Sequence, residues 1–112
     1  MTSSMKKLQR EIGEWGDKTF PTDTKSEKLH GVIHHLNDEV YELMAEAMMY
    51  SENIDRREQF RQEVADAGIL VFQLAYTLGF DLETEIHKKM EINKKRKWGT
   101  PDERGVVKHI PE

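Results

Sequence analysis

The sequence holds no cysteine, which excludes disulfides and thiolate metal sites and agrees with a cytoplasmic location. Prolines number only three and glycines seven, too few for a loop-dominated chain or a Pro/Gly-rich linker. No apolar run approaches the ~20 residues that span a bilayer, and the Met-Thr-Ser-Ser start lacks a signal peptide's apolar stretch. No membrane partner is expected. Positive charge is also short: the formal net charge of −4 argues against nucleic acid as the main partner. No segment alternates convincingly at period two, and neither repeats nor low-complexity tracts occur.

What remains is a chain of 112 residues, 37% hydrophobic and 34% charged. That balance fits one helical domain over residues 1–112 with heavily charged exposed faces. The charge is uneven. Between His87 and Trp98 lie Lys88, Lys89, Lys94, Lys95, Arg96 and Lys97 against the single Glu91.

The apolar spacing predicts four helices. The first runs from about Ser4 to Trp15, with Met5, Leu8, Ile12 and Trp15 along one face. Gly16, Pro21 and Asp23 then mark "GDKTFPTDT" as a loop. Thr24 and Glu27 form a possible capping box for a second helix reaching about Tyr50. Ser51 to Asp55 reads as a polar turn, and a third helix follows from about Arg56 to Leu78, stopped by Gly79. Asp81 caps a fourth, carrying Leu82, Ile86 and Met90 to near Trp98–Pro101. The last dozen residues read as an extended tail. The fold class is all-α.

Chemistry gathers on the second and third helices. Glu39 and Glu42 are three apart and share a face; Glu63 and Asp66 repeat the spacing. The intervening residues allow the two helices to run antiparallel, so that the pairs face each other. Four converging carboxylates repel unless protonated or neutralised, and an all-oxygen set favours Mg²⁺, then Mn²⁺ or Ca²⁺. Asp66 lies in the apolar run "EVADAGILVFQLA", which suggests a buried acid that needs a partner. A solvated acidic face is the alternative for Glu39 and Glu42 taken alone.

"EVYE" (Glu39 to Glu42) followed by "EVAD" (Glu63 to Asp66) resembles the E-x-x-E…E-x-x-D signature of the MazG-like all-α nucleoside triphosphate pyrophosphohydrolases. The flanks "SEKLHGVIHHLNDEVYEL" and "KMEINKKRKWGTPDERGVVKHI" extend the likeness over most of the chain. They look most like the MazZ-like dATP/dGTP diphosphohydrolase branch. Asp38 stands where many relatives carry a third Glu, a conservative departure.

The resemblance implies a four-helix bundle with a C-terminal tail that assembles as a homodimer or homotetramer. It implies hydrolysis of a nucleoside triphosphate, dGTP or dATP, between the α- and β-phosphates, releasing monophosphate and pyrophosphate. Glu39, Glu42, Glu63 and Asp66 become Mg²⁺ ligands and catalytic acids, with Mn²⁺ an acceptable substitute. Lys89, Asn93 and Arg96, spaced i, i+4 and i+7, resemble triphosphate-binding residues; a solvated basic helix end is the plainer alternative.

Trp15 is a candidate for stacking on the base, against a role as core. His30, His34 and His35 offer only one E-x-x-H, "EKLH", where a di-iron bundle needs two, so they read as surface or interface groups. Met44, Met48 and Met49 read as core or subunit contact. Two alternatives stay open: the same reaction on a pyrimidine nucleotide such as dUTP or dCTP, and a non-catalytic helical module for oligomerisation or partner binding.

Overall fold

The computed structural model describes residues 2–50 and 56–111; the expected turn at 51–55 lies outside them. Four helices follow in order: α1 (Ser4–Thr19), α2 (Lys25–Tyr50), α3 (Arg57–Leu78) and α4 (Leu82–Lys95). No strand occurs among the described residues. None of their helices is by itself long and apolar enough to cross a membrane. Residues 1–82 and 83–112 form two compact units.

In the first unit α3 packs against both α2 and α1. The Ser3 hydroxyl caps α1 by accepting the Lys6 N–H at 3.2 Å. The helix then continues through Gly16 to Thr19, where the sequence suggested a break after Trp15. The reason lies in packing. A Cβ at Gly13 would sit 2.1 Å from the Tyr76 ring, and one at Gly16 would sit 2.6 Å from the Gln73 side-chain amide. These glycines let α1 lie close on α3, antiparallel to it, and that contact offsets their poor helix propensity.

Thr24 caps α2 by accepting the Glu27 N–H at 3.1 Å. The 26 residues of α2 span about 39 Å at the usual rise. At the end of α3, Gly79 takes the left-handed conformation (φ 77°). Its N–H bonds to the Tyr76 carbonyl, and the Phe80 N–H to Ala75, the Schellman pattern that favours glycine. Gln9, buried on α1, locks the turn that follows. Its amide nitrogen donates to the Phe80 carbonyl (2.8 Å) and its oxygen accepts the Leu82 N–H (3.0 Å). Lys6 and Asp81 add an ion pair at 3.7 Å.

Ile12, Val32, Leu70 and Ala75 are the buried hydrophobic residues, and no large side chain is wholly buried among the described residues. Met44, Met48 and Met49, which the sequence offered as core or subunit contact, are exposed and form no core within this chain.

The second unit corrects two expectations. α4 ends at Lys95, short of Trp98, because the Trp98 indole N–H takes the Asn93 carbonyl at 2.9 Å. A continuing helix would give that carbonyl to Lys97. The C-terminal stretch is not extended but doubles back: Gly99 N–H bonds to the Lys108 carbonyl (2.9 Å) and Ile110 N–H to Lys97 (2.7 Å). Trp98 and His109 form an antiparallel bridge, their rings 6.0 Å apart edge to face. The Asp102 carboxylate organises the reversal by accepting the N–H groups of Arg104 and Val106, which hold its pKa below the usual carboxylate range together with the Arg104 guanidinium.

The glycine contact gives a stability test. Gly13→Ala is expected to cost about 1–3 kcal/mol through overpacking against Tyr76. Gly31→Ala, on a helical site with open space, should gain about 0.5–1 kcal/mol. Denaturant melts of both variants check this; an equal effect of the two substitutions would refute the close approach.

Candidate active site

The centre of the site is Glu39, a carboxylate only 7% exposed on α2. Burial is the largest cause that pushes its pKa above the usual carboxylate range. The charges of Glu42, Asp66 and Glu63 and a side-chain hydrogen bond with Glu42 raise it further. So the antiparallel course of α2 and α3 does gather the four acids of the sequence motif, with Glu39 at their middle.

Their exposure differs from expectation. Asp66 is exposed and borders an open cleft, whereas the sequence suggested that it was buried. Its apolar neighbours explain the difference: Val64 is itself 48% exposed, so this stretch of α3 is only thinly covered. Glu42 is exposed and Glu63 half-buried.

A further acid lies two turns beyond Glu39 on α2. Glu46, seven residues after Glu39 and so on the same face, pairs with Arg56 at 2.9 Å and ties α2 to the start of α3. One carboxylate oxygen each of Glu46 and Glu63 is buried without a hydrogen-bond partner among the described residues. Orphaned carboxylate oxygens beside like charges are the surroundings in which a cation is a net gain. The donors are all oxygen, which fits hard divalent ions. As the side chains lie, no three His, Asp or Glu residues among the described ones already form a ligand shell, so binding would draw the four acids together.

Beside Asp66 opens a largely apolar cleft of about 400 Å³ between α1, α2 and α3. Trp15 and Phe20 wall it, with ring centroids 5.4 Å apart edge to face. Trp15 is half exposed, so it lines the cleft and is not core. Lys28 fixes that wall. Its ammonium donates to the carbonyls of Gly16 (3.3 Å) and Phe20 and lies 3.7 Å from Asp17, drawing the end of α1 onto α2. Gln73 and Tyr76 complete the floor.

Lys89, Asn93 and Arg96 belong to the second unit. Lys89 is exposed; Asn93 and Arg96 are half-buried. Arg96 falls one residue past α4, its N–H on the Asn93 carbonyl at 3.3 Å, so the expected uninterrupted helical face is cut short. The Asn93 side-chain oxygen is buried without a partner among the described residues. The three histidines at 30, 34 and 35 are exposed as expected, and His35 reaches the cleft. Sequence reasoning passed over Lys28 and Gln73. The signal for Gln73 was present: it interrupts the apolar run "GILVFQLA", seven residues after Asp66 and on its face.

Fold and site together define an all-α protein with a carboxylate cluster centred on the buried Glu39. Residues 26–112 match the MazG-like family, and the chain belongs to it. A dATP/dGTP diphosphohydrolase of cyanophage S-2L is 33% identical over 111 residues, which are 99% of this chain and 92% of that protein. Another, from Salmonella phage PMBT28, is 29% identical over 109 residues. The match takes in 97% of this chain but only 32% of that longer relative, about a third of its length. The solved structure of the cyanophage S-2L MazG-like pyrophosphohydrolase, bound to dGDP and three catalytic Mn²⁺ ions per active site, superposes with a TM-score of 0.73. The two chains share 32% identity, covering 98% of this chain and 100% of that one. Family membership agrees with the resemblance carried by the acidic motif.

Glu39 makes the site costly to stability. A raised folded-state pKa contributes stability that is fully present below the ordinary value of 4.5 and is lost as pH rises through the folded value. In chelator at neutral pH, Glu39→Gln should therefore raise the melting temperature. The gain should vanish as pH falls toward 4.5. Thermal melts across that range check the sign; a Gln variant less stable than the parent at neutral pH would contradict it.

Proposed function

We propose that this chain is a divalent-metal-dependent nucleoside triphosphate pyrophosphohydrolase acting on dGTP and dATP. The bond cut lies between the α- and β-phosphates, and the products are the deoxynucleoside monophosphate and pyrophosphate. The observation that carries this reading is the burial of Glu39 among Glu42, Glu63 and Asp66 in a MazG-like chain. Its named relatives act on dATP and dGTP, and its structural neighbour is described with dGDP and Mn²⁺.

Glu39, Glu42, Glu63 and Asp66 would hold the ions, Mg²⁺ or Mn²⁺. Ions bound there supply neutralisation of phosphate charge and a more acidic water. The chain's own part is to keep the acids aligned through the α2–α3 contact, and one of the four accepts the proton of the attacking water. Lys89, Asn93 and Arg96 take the triphosphate, Arg96 through its forked guanidinium. Trp15, with Phe20 beside it, offers a flat apolar face for the base in the cleft next to Asp66. The names of the relatives favour purines over dUTP or dCTP. A purely structural helical module would have no use for a buried Glu39 set among three like charges.

The exposed Val40, Tyr41, Met44 and Met48 along α2 support a homodimer or homotetramer, because a lone chain leaves them in water. We place the enzyme in the cytoplasm, working on free nucleotides and not on nucleic acid or membranes.

Pyrophosphate release should be measured over the common nucleoside triphosphates with Mg²⁺ or Mn²⁺. Turnover of dGTP and dATP is expected, with its loss in excess chelator and in Asp66→Asn at unchanged circular dichroism. Full turnover in chelator would overturn the reading. Arg96→Ala should lose roughly 1.5–3 kcal/mol of transition-state stabilisation, on the order of ten- to a hundredfold in kcat/KM. The exposed Lys95→Ala serves as its control; equal losses would remove Arg96 from the site. Sedimentation should find at least a dimer at micromolar concentration, and a stable active monomer would reject the assembly.

A further inference from the structure

Two glutamines are buried in the first unit, and they behave differently. Gln9 uses both ends of its amide on the backbone after α3. Gln73, 8% exposed, makes no hydrogen bond to any described group, although its side chain lines the cleft that Asp66 borders. With no partner among the described residues and not sealed from water, its carboxamide faces the cleft free to bond a ligand. Other polar residues around the cleft are less telling: Lys28 is held by two carbonyls and Asp17, and His35 is exposed.

Its placement suits one ligand part. Asp66 and Gln73 are seven residues apart on one face of α3, about 10 Å along the axis. That is comparable to the reach from a nucleotide's first phosphate to the far edge of its base. Gln73 lines the same cleft as Trp15 and Phe20, so a base stacked on those rings would present its edge to the amide.

We propose that Gln73 is the residue that reads the purine edge, and that rotation of its amide by 180° lets one cleft accept both adenine and guanine. This rests on the deoxypurine triphosphate reading above. Adenine offers an acceptor at N1 and a donor at its 6-amino group; guanine offers the reverse, a donor at N1 and an acceptor at O6. An amide carries one donor and one acceptor arm of nearly equal size, so turning it over exchanges the two patterns without changing its shape. The flat contact with Gly16, where a Cβ would come 2.6 Å from the amide nitrogen, holds the group in place and is indifferent to the flip. A pyrimidine is shorter and leaves the amide unpaired.

The test compares steady-state hydrolysis of dGTP and dATP by the intact protein, Gln73→Leu and Gln73→Glu, with folding checked by circular dichroism. Gln73→Leu should lose roughly ten- to a hundredfold in kcat/KM on both purines, mainly through KM. Gln73→Glu is assayed at alkaline pH, where its carboxyl is ionised. It accepts from guanine N1–H and the 2-amino group but faces the adenine N1 lone pair, so the dGTP-to-dATP preference should rise by roughly tenfold or more. The parent protein should also discriminate against O6-methyl-dGTP, which lacks the N1 proton, a readout that needs no variant. Unchanged KM and preference in both variants of an active enzyme would overturn the role of Gln73 alone. A parent protein that releases pyrophosphate from no triphosphate would overturn the hydrolase reading and this inference with it.

Discussion

A carboxylate that the fold buries beside three others sets the terms for the rest of the structure. Glu39 sits in the seam between α2 and α3, and burial and like charge both oppose its ionisation. Neither helix hides the acid in an ion pair with a basic side chain. The part-buried pair of Arg56 with Glu46 lies two turns along α2 and stabilises the connection, not the quartet. A seam that concentrates negative charge is held only because the surrounding contacts are strong enough: the Schellman stop at Gly79, the Gln9 clamp and the close glycine contact of α1. Stability is given up at the site and recovered around it.

Much of this was legible in the sequence because it is local. The α2 cap at Thr24, the stop at Gly79 and the three-residue spacing of each acidic pair are decided by neighbours within one turn. Gly16 was misread for a physical reason. Glycine weakens a helix in isolation, and only the distant Gln73 shows that this one is needed for close approach. The early end of α4 and the doubled-back terminus have the same origin: the Trp98 indole and the Asp102 carboxylate compete for backbone groups that a pattern of hydrophobicity cannot assign.

Asp66 shows where hydropathy misleads. An apolar run implies burial only if another element covers it, and in a small chain much apolar surface stays open. The burden passed instead to Glu39, whose own neighbours Asp38 and Val40 are exposed. Alternation of burial around the helix, not the mean polarity of the segment, selected which acid is hidden. The family match begins at residue 26, so the Trp15 and Phe20 wall comes from a part of the chain outside it. Trp15 was a stacking candidate in the sequence, but its pairing with Phe20 across the cleft wall appears only in the structure.

These features converge on α3. The helix carries Glu63 and Asp66 toward Glu39 and, about two turns further on, Gln73 and Tyr76 under the glycines of α1. Successive helical positions differ by about 100°, so a rotation by one residue would turn the acids out of the seam and Tyr76 off Gly13 together. The two contacts therefore fix the same degree of freedom. Packing of α1 through its glycines sets the rotation of α3, and that rotation determines whether the carboxylates meet. The position of the acids in this chain thus depends on residues that carry no charge.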